Sequence, residues 1–467
     1  MQLSSGTYFI FLAALFLAYW PVARSRAAAL TLLLFANYFF YARWDLYFLA
    51  VIPAVSTIDF AIARGLQASE RAWLRRLLIS SSILMNLGLL ATLKYMPFFL
   101  ENWAAWTGGA VRPWSLALPV TLSFYVFQAL TYTIDLYRRD IPGTKSYLAY
   151  LTAVSFFPTT LAGPITRVSV LVDQLDRRKP LSADDGGRAL FLIGMGLVKK
   201  LMVADYLAQN LVNRVFDFPN LYSGTEVLVS VYGYTLQIYY DFSGYTDIAI
   251  GSALLLGIQL PPNFKRPYAA GNIADFWRRW HMTLSNWLRD YLYFSLPGLR
   301  SKWKVFAYTN VVITMLIGGL WHGPSWTFIV WGALHGVALA ALRLWQNLRG
   351  KRAGAPGAWR FATIFVTFHF VAFAWIFFRA PSIEGAMTML SRIGSGTVSF
   401  VNVPGVFWMV LAIGWVGHYF PERWHAAGLN LYVRAPFYAQ AAALLALVMG
   451  LQYVAGTGAA PFIYNRF

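Results

Sequence analysis

The chain has 467 residues, of which 58% are hydrophobic and 12% are charged. Soluble domains carry about 25% charged residues, so a single soluble domain is excluded. The sequence contains no cysteine, which excludes disulfides, thiolate metal sites and a cysteine nucleophile. The formal net charge is +19, and the basic residues lie in the links between apolar segments. Attraction to an anionic membrane surface explains this placement better than binding to nucleic acid, so we expect no nucleic acid partner.

Apolar stretches recur from one end of the chain to the other. A helix needs about 20 apolar residues to cross a hydrocarbon core of roughly 30 Å, and the stretches have about that length. They predict an all-α polytopic membrane protein with about 11 transmembrane helices, the remainder being re-entrant or interfacial. The stretches run near residues 5–23, 27–41, 45–63, 77–100, 115–137, 188–213, 224–257, 305–322, 325–344, 360–379, 404–420 and 437–457.

Links rich in basic residues alternate with links that have few charges between these apolar stretches. No lysine or arginine precedes the first stretch, whereas Arg24 and Arg26 follow it at once, which is the reverse of a signal peptide. We therefore expect a retained anchor with the N-terminus outside. The basic residues of 64–76, 138–139 and 343–360 are then predicted to be cytoplasmic.

No uninterrupted polar stretch is long enough to fold alone, so we expect one integral-membrane domain over residues 1–467 with no soluble domain. The chain has no G-x-S-x-G elbow, no phosphate-binding P-loop and no H-E-x-x-H helix, and none of its six histidines is followed five positions later by aspartate. We expect no metal site. Any chemistry must take place within the membrane body.

The first candidate histidine lies in FWRRWHMTLSNWLRDYLY, residues 276–293. Its aromatic and aliphatic residues recur at helical spacing and predict one amphipathic helix with His281 on the apolar face. Arg278 and Arg289, eleven residues apart, would share another face of that helix. From this segment alone His281 is either a core histidine or a functional one.

The second candidate histidine is His322, in IGGLWHGPSW. Pro324 two residues later restricts the chain and predicts that the helix ends near His322, within a membrane segment. An uncompensated buried polar group costs roughly 2–7 kcal/mol, so this imidazole needs a partner or a role. We interpret the remaining histidines, His335, His369, His418 and His425, as structural.

Polar residues also gather before His281. YYDFSGYTDIAIG carries Asp241, and LPPNFKRPY carries Asn263 in a proline-rich turn. Asp241 could orient a histidine, and pairing with Lys265 or Arg266 is an equal alternative. Lys199 and Lys200 interrupt an apolar stretch and indicate a helix near the membrane interface.

Read together, several segments resemble the membrane-bound O-acyltransferase superfamily, in the branch of the alginate O-acetylases. The resemblance covers most of the chain, and the order and spacing of the segments make it specific. It implies a ring of tilted helices around a central tunnel, with a catalytic core over about 118–336. The segments are 118–140, 155–167, 232–251, 263–268, 276–293, 318–336 and 372–390.

The resemblance also implies roles for the candidate residues. His322 would be the catalytic base and His281 a second active-site histidine that positions or polarises the donor. The remaining candidates for the tunnel or donor site are Trp277, Trp280, Trp321, Arg278, Arg289, Asp241 and Asn263. The two arginines could attract the phosphates of coenzyme A, or equally contact lipid headgroups.

The implied reaction is acyl transfer from a cytoplasmic thioester to the hydroxyls of an exported polysaccharide. We expect acetyl-CoA as the donor, no permanently bound cofactor, membrane lipids around the chain, and an exported acyl-accepting protein as an intermediary. The expected location is the bacterial cytoplasmic membrane. Two alternatives are a D-alanyl transferase that uses a carrier-protein thioester and a transporter or flippase without a bond-making step.

Overall fold

The computed structural model describes residues 1–43, 46–111, 114, 122–160, 162–177, 179–297, 305–349 and 357–454. All regular structure in these residues is helical, which confirms the predicted fold class. The helices are α1 Gly6–Val22, α2 Arg26–Ala42, α3 Phe48–Ala68, α4 Ala72–Leu90, α5 Met96–Thr107, α6 Leu122–Arg138, α7 Tyr147–Val154, α8 Phe157–Thr160, α9 Val168–Arg177, α10 Ala183–Leu197, α11 Asp205–Leu207, α12 Asn213–Asp217, α13 Gly224–Leu255, α14 Ile273–Trp277, α15 Met282–Trp287, α16 Val305–His322, α17 Trp326–Arg349, α18 Ala358–Arg379, α19 Ile383–Gly394, α20 Gly405–Tyr419, α21 Glu422–Arg434 and α22 Phe437–Val454.

Within the described residues, five helical segments are long and apolar enough to cross a membrane. They are Leu49–Ala68, Ala72–Thr107, Val305–His322, Trp326–Arg349 and Trp359–Arg379. The helices α21 and α22, bent by 120° at the break between them, form either a broken span, which would make a sixth, or a re-entrant loop. The shorter apolar helices α1, α2 and α20 coincide with predicted stretches, and the total of about 11 spans stays a prediction.

Two predicted stretches differ in form from a plain helix. The stretch 77–100 belongs to a longer helical segment, because the π-helix Ala91–Tyr95 joins α4 to α5 without a break. The stretch 188–213 is interrupted by two π-helices, Val198–Ala204 and Ala208–Val212. Residues 115–121 of the predicted stretch 115–137 and residues 350–356 of the basic tract 343–360 lie outside the described residues.

The chain forms two compact units. The first unit comprises Met1–Ile193 and Ile248–Pro261, and the second comprises Gly194–Asp247 and Pro262–Phe467. Both units contain helices long enough to span a membrane. The candidate site residues all lie in the second unit. The single membrane domain over the whole chain stays a prediction.

Buried polar groups hold the first unit together. The Asp59 carboxylate accepts hydrogen bonds from Ser82 Oγ at 2.7 Å and Asn86 Nδ2 at 2.8 Å. The Arg75 guanidinium donates to the carbonyls of Leu136 and Tyr137 at 3.0 and 2.8 Å, at the end of α6. Because these side chains are buried, each of their polar groups needs a partner within the protein.

Glycines let α16 and α17 approach closely in the second unit. A Cβ atom on Gly319 would lie 2.3 Å from the carbonyl oxygen of Phe328, and one on Gly332 would lie 2.4 Å from that of Met315. Small residues at a helix crossing are the usual way for membrane helices to gain packing. This crossing places the end of α16, and with it His322, against α17.

Candidate active site

His281 lies at a sharp turn, which corrects the prediction of one helix over 276–293. The helix α14 ends at Trp277, His281 adopts a left-handed conformation with φ 42° and ψ 53°, and α15 begins at Met282. Non-glycine residues avoid this conformation unless the surroundings impose it. The prediction that Arg278 and Arg289 share a helix face is therefore wrong.

Asn263 imposes this turn. Its side-chain Oδ1 accepts hydrogen bonds from Thr283 N at 3.2 Å and Thr283 Oγ1 at 2.7 Å, and its own carbonyl accepts from Met282 N at 3.0 Å. Lys265 N donates to the Arg279 carbonyl at 2.9 Å. The proline-rich turn predicted at 260–268 thus holds the residues on both sides of His281.

The His281 ring is fully buried, with 0% of its surface exposed. Phe242 of α13 packs edge-on against it at 4.6 Å between ring centroids, and Trp321 lies at 6.2 Å. These neighbours confirm the apolar surroundings expected from the sequence, although a turn rather than a helix face provides them.

His322 is the last residue of α16, as Pro324 predicted. It is 5% exposed and enclosed by four aromatic rings from three helices. Trp331 stands perpendicular to the imidazole at 5.2 Å, Phe378 lies at 5.0 Å and Phe328 is stacked at 6.2 Å. Trp321 completes the enclosure at 5.0 Å.

Trp321 therefore contacts both candidate histidines. Its ring lies 6.2 Å from His281 and 5.0 Å from His322, and it is 3% exposed. This buried indole is thus a neighbour that the two imidazoles have in common. The structure brings these three predicted residues together.

The other two predicted tryptophans lie farther along the same aromatic cluster. Trp280 stacks on Phe276 at 5.7 Å and contacts Trp375 at 5.0 Å. Trp277 donates a hydrogen bond from Nε1 to His335 Nδ1 at 3.3 Å.

Asp241 does not pair with either of the two predicted cations. Its Oδ1 forms a salt bridge with Lys200 Nζ at 2.7 Å, and Lys200 also binds Asp205 at 2.7 Å. Lys199 pairs with Asp247 at 2.6 Å. Gly244 permits this pairing, since a Cβ atom there would lie 2.7 Å from the Gly196 carbonyl oxygen.

The two lysines therefore face carboxylates on α13, and the expected helix near the membrane interface stays a prediction. The residue that follows Asp241 in the sequence, Phe242, is the one that contacts His281.

The two predicted arginines occupy different surroundings. Arg278 is exposed and pairs with Asp275 at 3.6 Å. Arg289 lines a cavity of about 190 Å³ whose other lining residues are mostly apolar. That lining consists of Trp277, Ser285, Leu288, Tyr293, Val311, Thr314, Met315 and Leu339. The OH of Tyr293 accepts a hydrogen bond from Arg343 at 2.6 Å.

The remaining histidines have packing partners. His369 Nε2 bonds with the Tyr232 hydroxyl at 3.0 Å, and His418 is buried between Tyr239 and Tyr268 at 4.8 and 5.2 Å. Sequence reasoning missed Phe242, Trp331 and Phe378 as neighbours of the two candidate histidines. Each lies in a segment that carries the resemblance, but its direction depends on helix packing that spacing alone does not reveal.

Comparison with known proteins identifies the family of the chain. The model of MBOAT, the membrane-bound O-acyltransferase family, matches residues 84–383. The chain belongs to this family. It is therefore an acyltransferase and a multi-pass membrane protein, and the transporter alternative is not retained.

Several curated relatives cover most of the chain. The "Probable alginate O-acetylase AlgI" of Azotobacter vinelandii is 36% identical over 415 residues, which are 86% of this chain and 80% of that protein. The peptidoglycan O-acetyltransferase of Helicobacter pylori is 34% identical over 79% of this chain and 75% of its own length. The teichoic acid D-alanyltransferase of Bacillus subtilis is 32% identical over 48% of this chain and 59% of its length.

Proposed function

We propose that this protein is a transmembrane O-acetyltransferase. It moves an acetyl group from a cytoplasmic thioester toward hydroxyls of an exported polysaccharide, with His322 as the general base. The observation that carries the proposal is the placement of His281 and His322 against the same buried indole, Trp321. An ionisable side chain buried in a membrane protein is costly, which makes it a candidate for a functional role.

The chemistry needs one proton acceptor near the reacting atoms. The acceptor hydroxyl oxygen attacks the thioester carbonyl carbon while His322 takes the hydroxyl proton, and the new C–O bond forms. The C–S bond then breaks, and the departing thiolate receives the proton from the imidazolium. Such general base catalysis typically contributes a factor of about 10²–10⁴ in rate.

His281 would position the donor or polarise its carbonyl. The surrounding rings of Trp321, Trp331 and Phe378 support a dry site, which protects the thioester from hydrolysis. The turn held by Asn263 keeps the His281 ring in one orientation.

The cavity lined by Trp277 and Arg289 is where the acyl donor would enter the site. Pockets for drug-sized ligands occupy roughly 300–1,000 Å³, so a cavity of about 190 Å³ suits a narrow chain better than a whole nucleotide. The pantetheine arm of coenzyme A is such a chain. Arg289, whose Nε also pairs with Asp290 at 2.8 Å, and Arg343 would attract its phosphate groups, whereas Arg278 does not line this cavity.

Relatives named for acetyl transfer favour acetyl over D-alanyl as the transferred group. They align over 75–80% of their own length, while the D-alanyltransferase of Bacillus subtilis aligns over 59%. We further propose that the chain lies in the cytoplasmic membrane of a bacterium with its N-terminus outside, and that an exported protein accepts the acyl group before the polymer does.

The test is mass spectrometry of the exported polysaccharide from cells with and without this gene. Wild-type protein should restore O-acetyl groups to the deletion strain. The His322→Ala variant should restore none at equal protein level, whereas His369→Ala, which removes another membrane histidine, should restore them. Full acetylation with His322→Ala would refute the base assignment, and D-alanyl esters in place of acetyl would refute the choice of group.

A further inference from the structure

The sequence pattern around His335 is typical of a structural residue, but its contacts connect two parts of the site. The residue lies on α17 and has 0% exposure. On one side its Nδ1 accepts a hydrogen bond from Trp277 Nε1 at 3.3 Å. On the other side its ring packs against Trp331 at 4.8 Å.

Each of these tryptophans contacts a different functional element. Trp277 lines the cavity of about 190 Å³ proposed for the donor. Trp331 stands perpendicular to the His322 ring at 5.2 Å. His335 therefore contacts both the cavity lining and the enclosure of the base, in addition to the direct contact of Trp277 with Trp331 at 5.8 Å between ring centroids.

The hydrogen bond also determines the protonation of His335. An indole nitrogen can only donate, so His335 Nδ1 must be the acceptor and carries no proton. The proton of the neutral ring then resides on Nε2, which has no hydrogen-bond partner among the described residues. A leucine or phenylalanine would fill this volume without burying that polar atom, so packing alone does not account for a histidine here.

We propose that His335 is a positioning residue. It holds the Trp277 indole in the cavity lining and the Trp331 indole against His322, so that the donor and the base keep their relative placement. This inference rests on the proposed acyl transfer. Displacing reacting groups by about 1 Å can cost as much as a hundredfold in rate, which gives a positioning residue a measurable effect.

Two variants with the same functional group separate this role from mere packing. Asparagine at 335 places its amide oxygen close to the position of Nδ1 and can still accept from Trp277, whereas the amide of glutamine extends toward the position of Nε2. We expect His335→Gln to raise the donor KM and lower kcat, with kcat/KM reduced by about tenfold, and His335→Asn to recover most of the loss. The matched control is His369→Gln, which should change neither parameter.

A double-mutant cycle tests whether the effect passes through Trp277. If it does, His335→Gln should have little further effect once Trp277→Phe has removed the donor of the hydrogen bond. Equal effects of His335→Gln in both backgrounds would overturn the proposal. So would equal kinetics of the asparagine and glutamine variants.

An activity-independent measurement uses the indole N–H resonance of Trp277 in tryptophan-labelled full-length protein, identified through Trp277→Phe. This resonance should move in His335→Gln and stay near its wild-type position in His335→Asn. An unmoved resonance in His335→Gln would overturn the proposed hydrogen bond. Wild-type protein that transfers no acyl group while its resonances respond as expected would instead refute the proposed function.

Discussion

At the scale of single residues, Asn263 determines the conformation on which His281 depends. Asn263→Ala removes the acceptor for both Thr283 donors, so we expect a loss of about 1 kcal/mol in stability, as for other helix-start caps. Activity should fall further than stability because the His281 turn loosens. Asn263→Asp retains an acceptor oxygen and serves as the control. Thermal unfolding and acyl-transfer rates measured on the same samples check both expectations, and unchanged rates in Asn263→Ala would contradict them.

His281 itself combines a strained backbone with a candidate functional ring. Glycine adopts φ 42° without strain, so His281→Gly should fold at least as readily as His281→Ala. Both variants should lose about a hundredfold in transfer rate, since both lack the imidazole. A glycine variant with near wild-type activity would show that the residue matters only for its backbone.

The conformation at each histidine can be predicted from the sequence only where neighbouring residues determine it. Pro324 follows His322 closely, so the end of α16 could be predicted from neighbouring residues. The turn at His281 could not, because the spacing of Trp277, Trp280 and Leu284 fits a continuous helix equally well. The hydrogen bonds to Asn263, about 20 residues earlier in the chain, decide the outcome.

At the scale of elements, the crossing of α16 and α17 positions His322. Gly332→Ala would place a Cβ atom 2.4 Å from the Met315 carbonyl oxygen, and overpacking of this kind typically costs about 1–3 kcal/mol. Gly88→Ala on α4 is the matched control, because nothing lies within 4 Å of its Cβ position. Thermal unfolding should show a loss of stability for the first variant and none for the second. Equal midpoints would contradict the close crossing.

The buried charges between α13 and the π-helix Val198–Ala204 make a second prediction at this scale. Lys200→Met leaves Asp205 and Asp241 without their shared cation, which should cost about 3–5 kcal/mol. Lys199→Met should cost less, because Lys199 and Asp247 remain partly exposed. Thermal unfolding midpoints of the two variants test which one loses more stability. A larger loss for Lys199→Met than for Lys200→Met would contradict the prediction.

The elements themselves were predicted with uneven success, for a physical reason. Apolar length predicted α16, α17 and α18 closely, since each must match the thickness of a bilayer. The partner of Asp241 was predicted wrongly because Lys200 precedes it by 41 residues and only the packed helices bring the two together. The π-helices that turn this lysine toward α13 have no clear signal in composition.

At the scale of the whole molecule, composition and the ordered segments identified the family, and the matched family model over residues 84–383 confirms it. What composition could not supply is the route of the substrates, because that depends on how the helices pack around His281 and His322. Both rings are almost fully enclosed in this structure, by aromatic side chains that come from distant parts of the sequence.

The central claim is that an acyl group passes through the membrane body at His322. The most direct measurement uses purified protein in sealed liposomes, with acetyl-CoA on one side only and an acceptor with free hydroxyl groups on the other, alone or with the exported acyl-accepting protein. The account predicts acetyl esters on the acceptor while coenzyme A stays on the donor side, and none with His322→Ala. Equal acetylation by the alanine variant, or transfer only when donor and acceptor share one side, would contradict it.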